Sequence, residues 1–370
     1  MAASTPLASE ASHPSPIQFY RTTCVKKLAG SPSLTSIPST YAFTKAPQED
    51  EAVSEDPEDP IPVIDFSLLA YGTPDQRSTI IQELGRACKD WGFFMVINHG
   101  VPERLLERVI EGISGFFDLT EEEQIREFEG KNVLNTSKSV TSFNTSSDKV
   151  FFWRDFLKLI IQHPHHHHFP NEPAGFREIL LEYSKRSREV AMGLLKGISM
   201  SLGLGDTYIE NTMNLQSGLQ VLAANLYPPC PEPELAIGLP PHSDHGLLTL
   251  LIQNGISGLQ VQHQSKWVNV NSIPNAFVVN VADQMEIMSN GKYKSVMHRA
   301  FVNEKATRIS VATNFGPPLE MVVNPAPELV HPETNAPAYT GIKYGEYMEL
   351  QKSNKVYGKS CLDHVRILSA

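Results

Sequence analysis

The chain has 370 residues, 41% hydrophobic and 19% charged, a balance that supports a sizeable packed core and excludes general disorder. No apolar run approaches the roughly 20 residues of a membrane-spanning helix, and the four cysteines (Cys24, Cys88, Cys230, Cys361) lack CxxC pairing, which argues against a disulfide scaffold or thiolate zinc. The net charge is −10, but residues 49–60 hold seven acids and no base, so the acidity is local; without a long basic run, nucleic acid and membrane are poor partners. We expect a soluble, cytoplasmic, monomeric protein.

Residues 1–60 read as a loose Ser/Pro-rich arm and acidic linker, with a short amphipathic piece around Val25–Leu28. The start of the arm is poor in acids, as transit peptides are. An N-terminal α/β domain is expected over 61–170. It opens with a strand at Ile61–Phe66 and a helix over 76–90 spaced by Ile80, Leu84 and Cys88. An apolar strand over 93–97 ends at the turn Asn98-His99-Gly100, and Pro102 opens a helix. Thr120–Glu123 is a capping box for another helix, which Gly130 closes. From 131 to 170 the pattern is weak, and the run His163–His168 reads as a Pro-bounded polar loop, not a metal site.

One long amphipathic helix is predicted over 174–202, inside a connecting segment 171–215. Residues 216–318 then shift to a period near two, with short strands near 219–227, 247–252, 258–262, 267–270, 276–281, 298–303 and 308–315. Residues 319–370 form a C-terminal segment with a helix around 343–352. The fold class is α+β with a mainly β core: a double-stranded β-helix (jelly roll) wrapped by helices.

Strand periodicity selects the chemistry. His242 and Asp244 lie two apart, so on an extended segment they share a face, while His245 turns away and reads as structural. His298 opens a later strand, and Arg308 and Ser310 again share a face ten residues on. Two imidazoles and a carboxylate make a facial triad that suits non-haem Fe(II) and leaves three coordination positions open. Arg308 offers a planar fork for a carboxylate, and Ser310 a hydroxyl. Either motif alone is weak, since an HxD pair is more often a satisfied polar pair. Their order and spacing in a β-rich segment is the specific signal. His99, in a turn, reads as a hydrogen-bonded anchor and Trp267 as core. Phe143, Phe152 and Phe315 are candidates for a substrate pocket, with core packing as the alternative.

The sequence resembles the plant 2-oxoglutarate- and Fe(II)-dependent dioxygenases, the group containing flavanone 3-hydroxylase, gibberellin oxidases and hyoscyamine 6β-hydroxylase. Besides the triad, the resemblance rests on Ile61-Pro-Val-Ile-Asp65, Trp91–Gly100, Asn225-Leu-Tyr-Pro-Pro-Cys-Pro231 and Ser289–Arg299, and the arm's Ile37-Pro-Ser-Thr-Tyr41 is similar to the IPxxY that precedes this fold. It implies Fe(II) on His242, Asp244 and His298. It also implies 2-oxoglutarate held by Arg308, Ser310 and Tyr227 with Asn225 beside it, and ascorbate as reductant. Ala282 and Leu226 depart from the family's usual residues without touching a proposed ligand, and the retained Asp244 disfavours a halogenase. The activity implied is O2-dependent hydroxylation, desaturation or dealkylation of a small, largely apolar specialised metabolite, with release of succinate and CO2. An ascorbate-dependent oxidase on the same fold and a non-catalytic small-molecule binder are the alternatives.

Overall fold

A computed structural model of the chain describes residues 24–43, 53–54, 60–127, 137–141, 151–162, 166–167, 169–271, 273–331, 333–353 and 361–367. The N-terminal part gives α1 (Val25–Ala29), β1 (Val53–Ser54), β2 (Val63–Asp65), α2 (Phe66–Tyr71), α3 (Pro74–Arg86), β3 (Phe93–Ile97), α4 (Glu103–Asp118) and α5 (Glu121–Arg126). There follow β4 (Ser137–Thr141), β5 (Asp155–Gln162), β6 (His166–His167), α6 (Phe176–Ser201) and α7 (Tyr208–Thr212). The remaining strands are β7 (Leu219–Tyr227), β8 (Leu239–His242), β9 (Leu248–Gln253), β10 (Leu259–His263), β11 (Lys266–Asn269), β12 (Phe277–Val281), β13 (His298–Ala300), β14 (Arg308–Gly316), β15 (Val322–Val323) and β16 (Ile342–Lys343), and helix Tyr344–Ser353 near the C-terminus follows the expected one.

The strands form three sheets, β15 pairing with β16 alone and the other two sheets making the jelly roll. The larger runs β2-β3-β12-β9-β14-β7-β5-β4, with β6 on β5; the smaller runs β1-β11-β10-β13-β8. Side-chain alternation assigns each face of the large sheet a task. Leu222, Ala224 and Leu226 of β7, Leu250 and Ile252 of β9, and Val311 of β14 join Leu180, Leu194 and Ile198 of α6 and Ile113 and Phe116 of α4 in the main core. The opposite face meets the small sheet, where Val278, Leu259, Val261 and Val268 pack with Phe93 and Met95. The site described below lies on this inner face.

The N-terminal region does not stand apart from the barrel. Its β2 and β3 extend the large sheet past β12, and β4 and β5 extend it past β7. The strand β5 was not expected, because half-buried Phe156 and Ile160 sit on the face opposite Leu157, Leu159 and Ile161 and erase the polar–apolar alternation. Pro240 and Pro241 likewise disguise β8, which ends at His242, so Asp244 lies just beyond the strand. The strand expected over 298–303 stops at Ala300, after a register irregularity between His298 and Ala300.

Part of the arm departs from the expectation of a loose segment. Asp155 of β5 accepts from the backbone N–H of Val25 (3.0 Å) and Lys26 (2.8 Å), capping the first turn of α1. Val25, Ile37 and Tyr41 then pack with Trp153, Tyr227, Cys230 and Val302. The Thr120–Glu123 capping box forms as expected, with 3.2 and 2.7 Å bonds; Gly130 lies outside the described residues.

Candidate active site

Backbone register assembles the cluster. His298 of β13 pairs directly with His242 of β8, and their rings lie 4.2 Å apart between centroids. Asp244 Oδ1 stands 3.8 Å from the Nε2 of each histidine. One donor atom from each residue falls within 4.8 Å of the others, and among the described residues this is the only group of His, Cys, Asp or Glu that could hold a metal ion. Each Nδ1 faces a carbonyl two residues back, His242 to Pro240 (2.8 Å) and His298 to Val296 (3.3 Å). A carbonyl only accepts, so Nδ1 carries the proton and Nε2 turns its lone pair inward.

Asp244 is held the same way. Its Oδ2 accepts from Thr249 Oγ1 (2.6 Å) and Asn280 Nδ2 (2.9 Å), leaving Oδ1 for the cluster, and Asn314 Nδ2 donates to Thr249 Oγ1 in turn (3.0 Å). Burial raises the Asp244 pKa, but the two imidazoles and these hydrogen bonds outweigh it and hold the carboxyl down at about 2. Burial, then the neighbouring His298, brings His242 down to about 4. Both groups are thus in their metal-ligating forms at neutral pH.

The other predicted residues come from one register. Arg308 of β14 pairs with Tyr227 of β7, and Ser310 with Asn225, which sets four side chains on the inner face as a two-by-two patch. The Arg308 guanidinium is buried, lies 5.1 Å from the Tyr227 ring centroid and donates from Nη2 to Gln253 Oε1 (2.7 Å). Its Nε and Nη1 have no hydrogen-bond partner, and burial pushes its pKa down. A buried cation with two unanswered N–H groups is the environment an anion satisfies. A Cβ at Gly258 would stand 2.6 Å from Arg308 Cδ, so glycine there makes room for this side chain. Patch and triad line one cavity of about 70 Å³, together with Phe93, Leu239, Leu251, Leu259, Arg299, Ala300 and Ala312. The donor set fits a divalent ion and the patch fits a carboxylate beside it.

Other predicted residues lie elsewhere. Phe315 is out of phase with Arg308 and Ser310 and is buried in the main core between sheet and helices. Phe152 stacks on Phe43 of the arm, centroids 6.4 Å apart, and does not line the cavity. Phe143 lies outside the described residues, as do His163, His165 and His168; His166 and His167 pair with β5. His245 bonds Tyr344 Oη (2.7 Å), and Trp267 is buried under Arg299. His99 accepts from Val101 N–H at Nδ1 (3.1 Å) and so donates from Nε2 to Asn275 O (3.0 Å), anchoring its turn. Sequence reasoning missed Thr249, Gln253 and Asn280, each a polar residue in a largely apolar strand and so detectable as an interruption, and Arg154, whose Nη1 donates to Asn225 Oδ1 (2.8 Å). A wider groove of about 900 Å³, lined by Arg77, Arg86, Lys89, Lys292 and Tyr293 among others, shares no residue with this site.

Comparison with known proteins agrees with the geometry. Residues 218–317 match the 2OG-Fe(II) oxygenase superfamily, and residues 61–178 match the N-terminal region described as non-haem dioxygenase in morphine synthesis. The chain is 43% identical over 316 residues to 2-oxoglutarate-dependent dioxygenase 19 of Oryza sativa subsp. japonica, covering 85% of this chain and 93% of that one. It is 40% identical over 322 residues to thebaine 6-O-demethylase of Papaver somniferum, covering 83% and 85%. The solved structure of JOX2 in complex with 2OG, Fe and JA superposes with a TM-score of 0.80 at 30% identity, covering 94% of this chain and 98% of that one. The chain therefore belongs to the 2OG-Fe(II) oxygenase family and has its jelly-roll fold. It is an Fe(II)- and 2-oxoglutarate-dependent dioxygenase with plant relatives, acting on a small molecule with O2.

Proposed function

We propose that this dioxygenase hydroxylates, desaturates or dealkylates a small, largely apolar specialised metabolite, forming succinate and CO2. The observation that carries the reading is the buried Arg308, whose unanswered N–H groups share a cavity with the converging donors of His242, Asp244 and His298. In this reading the triad holds Fe(II). Arg308, Ser310 and Tyr227 hold the far carboxylate of 2-oxoglutarate, with Asn225 alongside. The bound iron and oxoacid supply the dioxygen activation. The protein's part is positional. Pro240 and Val296 carbonyls fix the imidazoles, Thr249 and Asn280 fix the carboxylate, and Leu251, Leu259 and Phe93 exclude water. The demethylase names of two relatives, acting on thebaine and codeine, support dealkylation as one outcome.

The same reading places a monomer in the cytoplasm with ascorbate keeping the iron reduced; no described helix is long and apolar enough to cross a membrane. The test is succinate formation by the iron-loaded protein over a panel of flavonoids, terpenoids, alkaloids and phenylpropanoids. Substrate-stimulated succinate is expected from the native chain. Asp244→Ala should reduce it by roughly a thousandfold or more with an unchanged far-UV circular dichroism spectrum, because one of three donors leaves a preformed scaffold. Ascorbate consumption without succinate would overturn the reading in favour of an ascorbate-type oxidase.

A further inference from the structure

The triad draws on both sheets, and the segment that carries Asp244 belongs to neither. His242 and His298 pair on β8 and β13 of the small sheet, whereas Thr249 and Asn280, which hold the Asp244 carboxylate, stand on β9 and β12 of the large one. β8 ends at His242 and β9 begins at Leu248, so residues 243–247 cross from sheet to sheet without a strand ladder. Two helices fasten them instead. The first turn of the short helix Asp283–Met288 donates backbone N–H groups from Asp283 to Asp244 O and from Gln284 to Gly246 O, each at 2.8 Å. The helix Tyr344–Ser353 brings three side chains to the same loop. Gln351 Nε2 donates to Ser243 O (2.8 Å), and Tyr344 Oη meets His245 Nδ1 (2.7 Å). Tyr347 Oη donates to Asp283 Oδ2 (2.8 Å), the oxygen that also accepts from Ser243 Oγ (3.1 Å).

Tyr344, Tyr347 and Gln351 recur at spacings of three and four, so one helical face serves the loop. Both tyrosines are fully buried. Glycine at 316 makes room for the first, since a Cβ there would collide with Tyr344 Oη, and glycine at 246 lets the loop lie against Asn314 of β14. No residue of this helix lines the cavity, so the helix touches neither the metal position nor the oxoacid patch. A donor on a loop without a ladder needs outside restraints to stay within the tolerance of a metal site. We propose that the helix Tyr344–Ser353 is a clamp on this loop, with Tyr344, Tyr347 and Gln351 as positioning residues that keep Asp244 at its distance from the two histidines. The inference rests on the triad reading given above. It makes metal affinity depend on a helix that never meets the ion.

The test is Fe(II) binding by the full chain, measured anaerobically by titration calorimetry at a single pH, with thermal melting of the metal-free protein alongside. Tyr344→Phe, Tyr347→Phe and Gln351→Ala should each weaken Fe(II) binding by about tenfold, the low end for groups that stand behind metal ligands. Saturating Fe(II) should restore kcat to within about twofold of native, because the loss is in binding. Met348 supplies the control. It packs the same helix on Leu219 and Val221 and makes no contact with the loop through a hydrogen bond. Met348→Ala should lower Tm while Fe(II) affinity stays within about twofold. Native-like affinity in the two tyrosine variants and Gln351→Ala would overturn the clamp. So would a loss in Met348→Ala that matches theirs at the same Tm, the mark of a helix that only stabilises the fold. If a tyrosine variant fails to fold, Gln351→Ala decides, since Gln351 is only half-buried. Asp244→Ala tests the reading beneath and should lose at least about a hundredfold. Native-like Fe(II) binding there would defeat the triad assignment, whereas unchanged clamp variants beside an impaired Asp244→Ala overturn the clamp alone.

Discussion

The metal-binding cluster and the inner face of β5 are built on opposite terms. At the triad every polar side chain has a partner behind it: carbonyls behind the histidines, Thr249, Asn280 and Asn314 behind Asp244, and Gln253 behind Arg308. Along β5 the inner face is half-buried and carries Phe156, Lys158 and Ile160. Rigid backing fixes donor positions to the tolerance that metal and oxoacid chemistry requires. A half-open face of long side chains can be re-cut by substitution without disturbing that chemistry. The contrast sets a rigidly backed site between the two sheets against a half-buried face at one end of the large sheet.

The largest effect that would break this contrast is at Arg308. Arg308→Gln should raise the KM for 2-oxoglutarate by roughly a hundredfold or more, because it leaves a buried carboxylate without its partner, a loss on the order of 3–5 kcal/mol. Arg308→Lys should recover only part, since it keeps charge but not the fork. An unchanged KM would move the oxoacid elsewhere and dissolve the distinction between the two regions.

At the β5 end the fixed element is Asp155, not a cavity residue. Asp155→Ala removes the acceptor of two α1 N–H groups. It should lower Tm by roughly 5 °C and speed proteolysis between residues 24 and 43, while the KM for 2-oxoglutarate changes less than for Arg308→Gln. A shift in that KM as large as the one from Arg308→Gln would show that the arm, not the strand register, sets the oxoacid patch.

The smallest effect sharpens the account of what lies behind the triad. Asp283 accepts from Ser243 Oγ (3.1 Å) and Tyr347 Oη (2.8 Å), and burial raises its pKa to about 7 from 3.8. With the folded value above the unfolded one, the folded state binds the extra proton. This stabilising contribution is whole below about pH 4 and is lost as pH rises through 7. Asp283→Asn removes the titration, so the Tm of the native chain should fall relative to the variant by a few degrees between pH 5 and 8. Parallel Tm curves would mean that Asp283 is ionised throughout.

The sequence exposes whatever follows a simple period. β7 and β14 keep one face largely apolar, interrupted only by Gln220 and Thr313, so their bounds were legible to within a residue, and the two-residue spacings of His242 with Asp244 and Arg308 with Ser310 marked cavity-facing pairs. β5 was not legible because the face opposite the main core is itself half-buried, with Ile160 packed against Leu219, Val221, Tyr344 and Met348, and so carries Phe156 and Ile160 where a polar residue would have signalled a strand. Arg154 was missed for a related reason. Its part depends on the pairing of β5 with β7, a contact across about 70 residues of chain that no local pattern records.

The docking of the arm has a consequence for how the chain is made. Residues 24–43 are synthesised well before their partners: Asp155 is 130 residues downstream of Val25, and Glu232, which accepts from Ile37 N–H at 2.8 Å, is 195 residues downstream of it. At about 5–20 residues per second the arm waits roughly 10–40 s for Glu232. Val302, the last member of that cluster in the chain, comes later still. This early-made segment is thus among the last to reach its place, and a nascent chain stalled before residue 302 would display Val25, Ile37 and Tyr41 to whatever chaperone attends it.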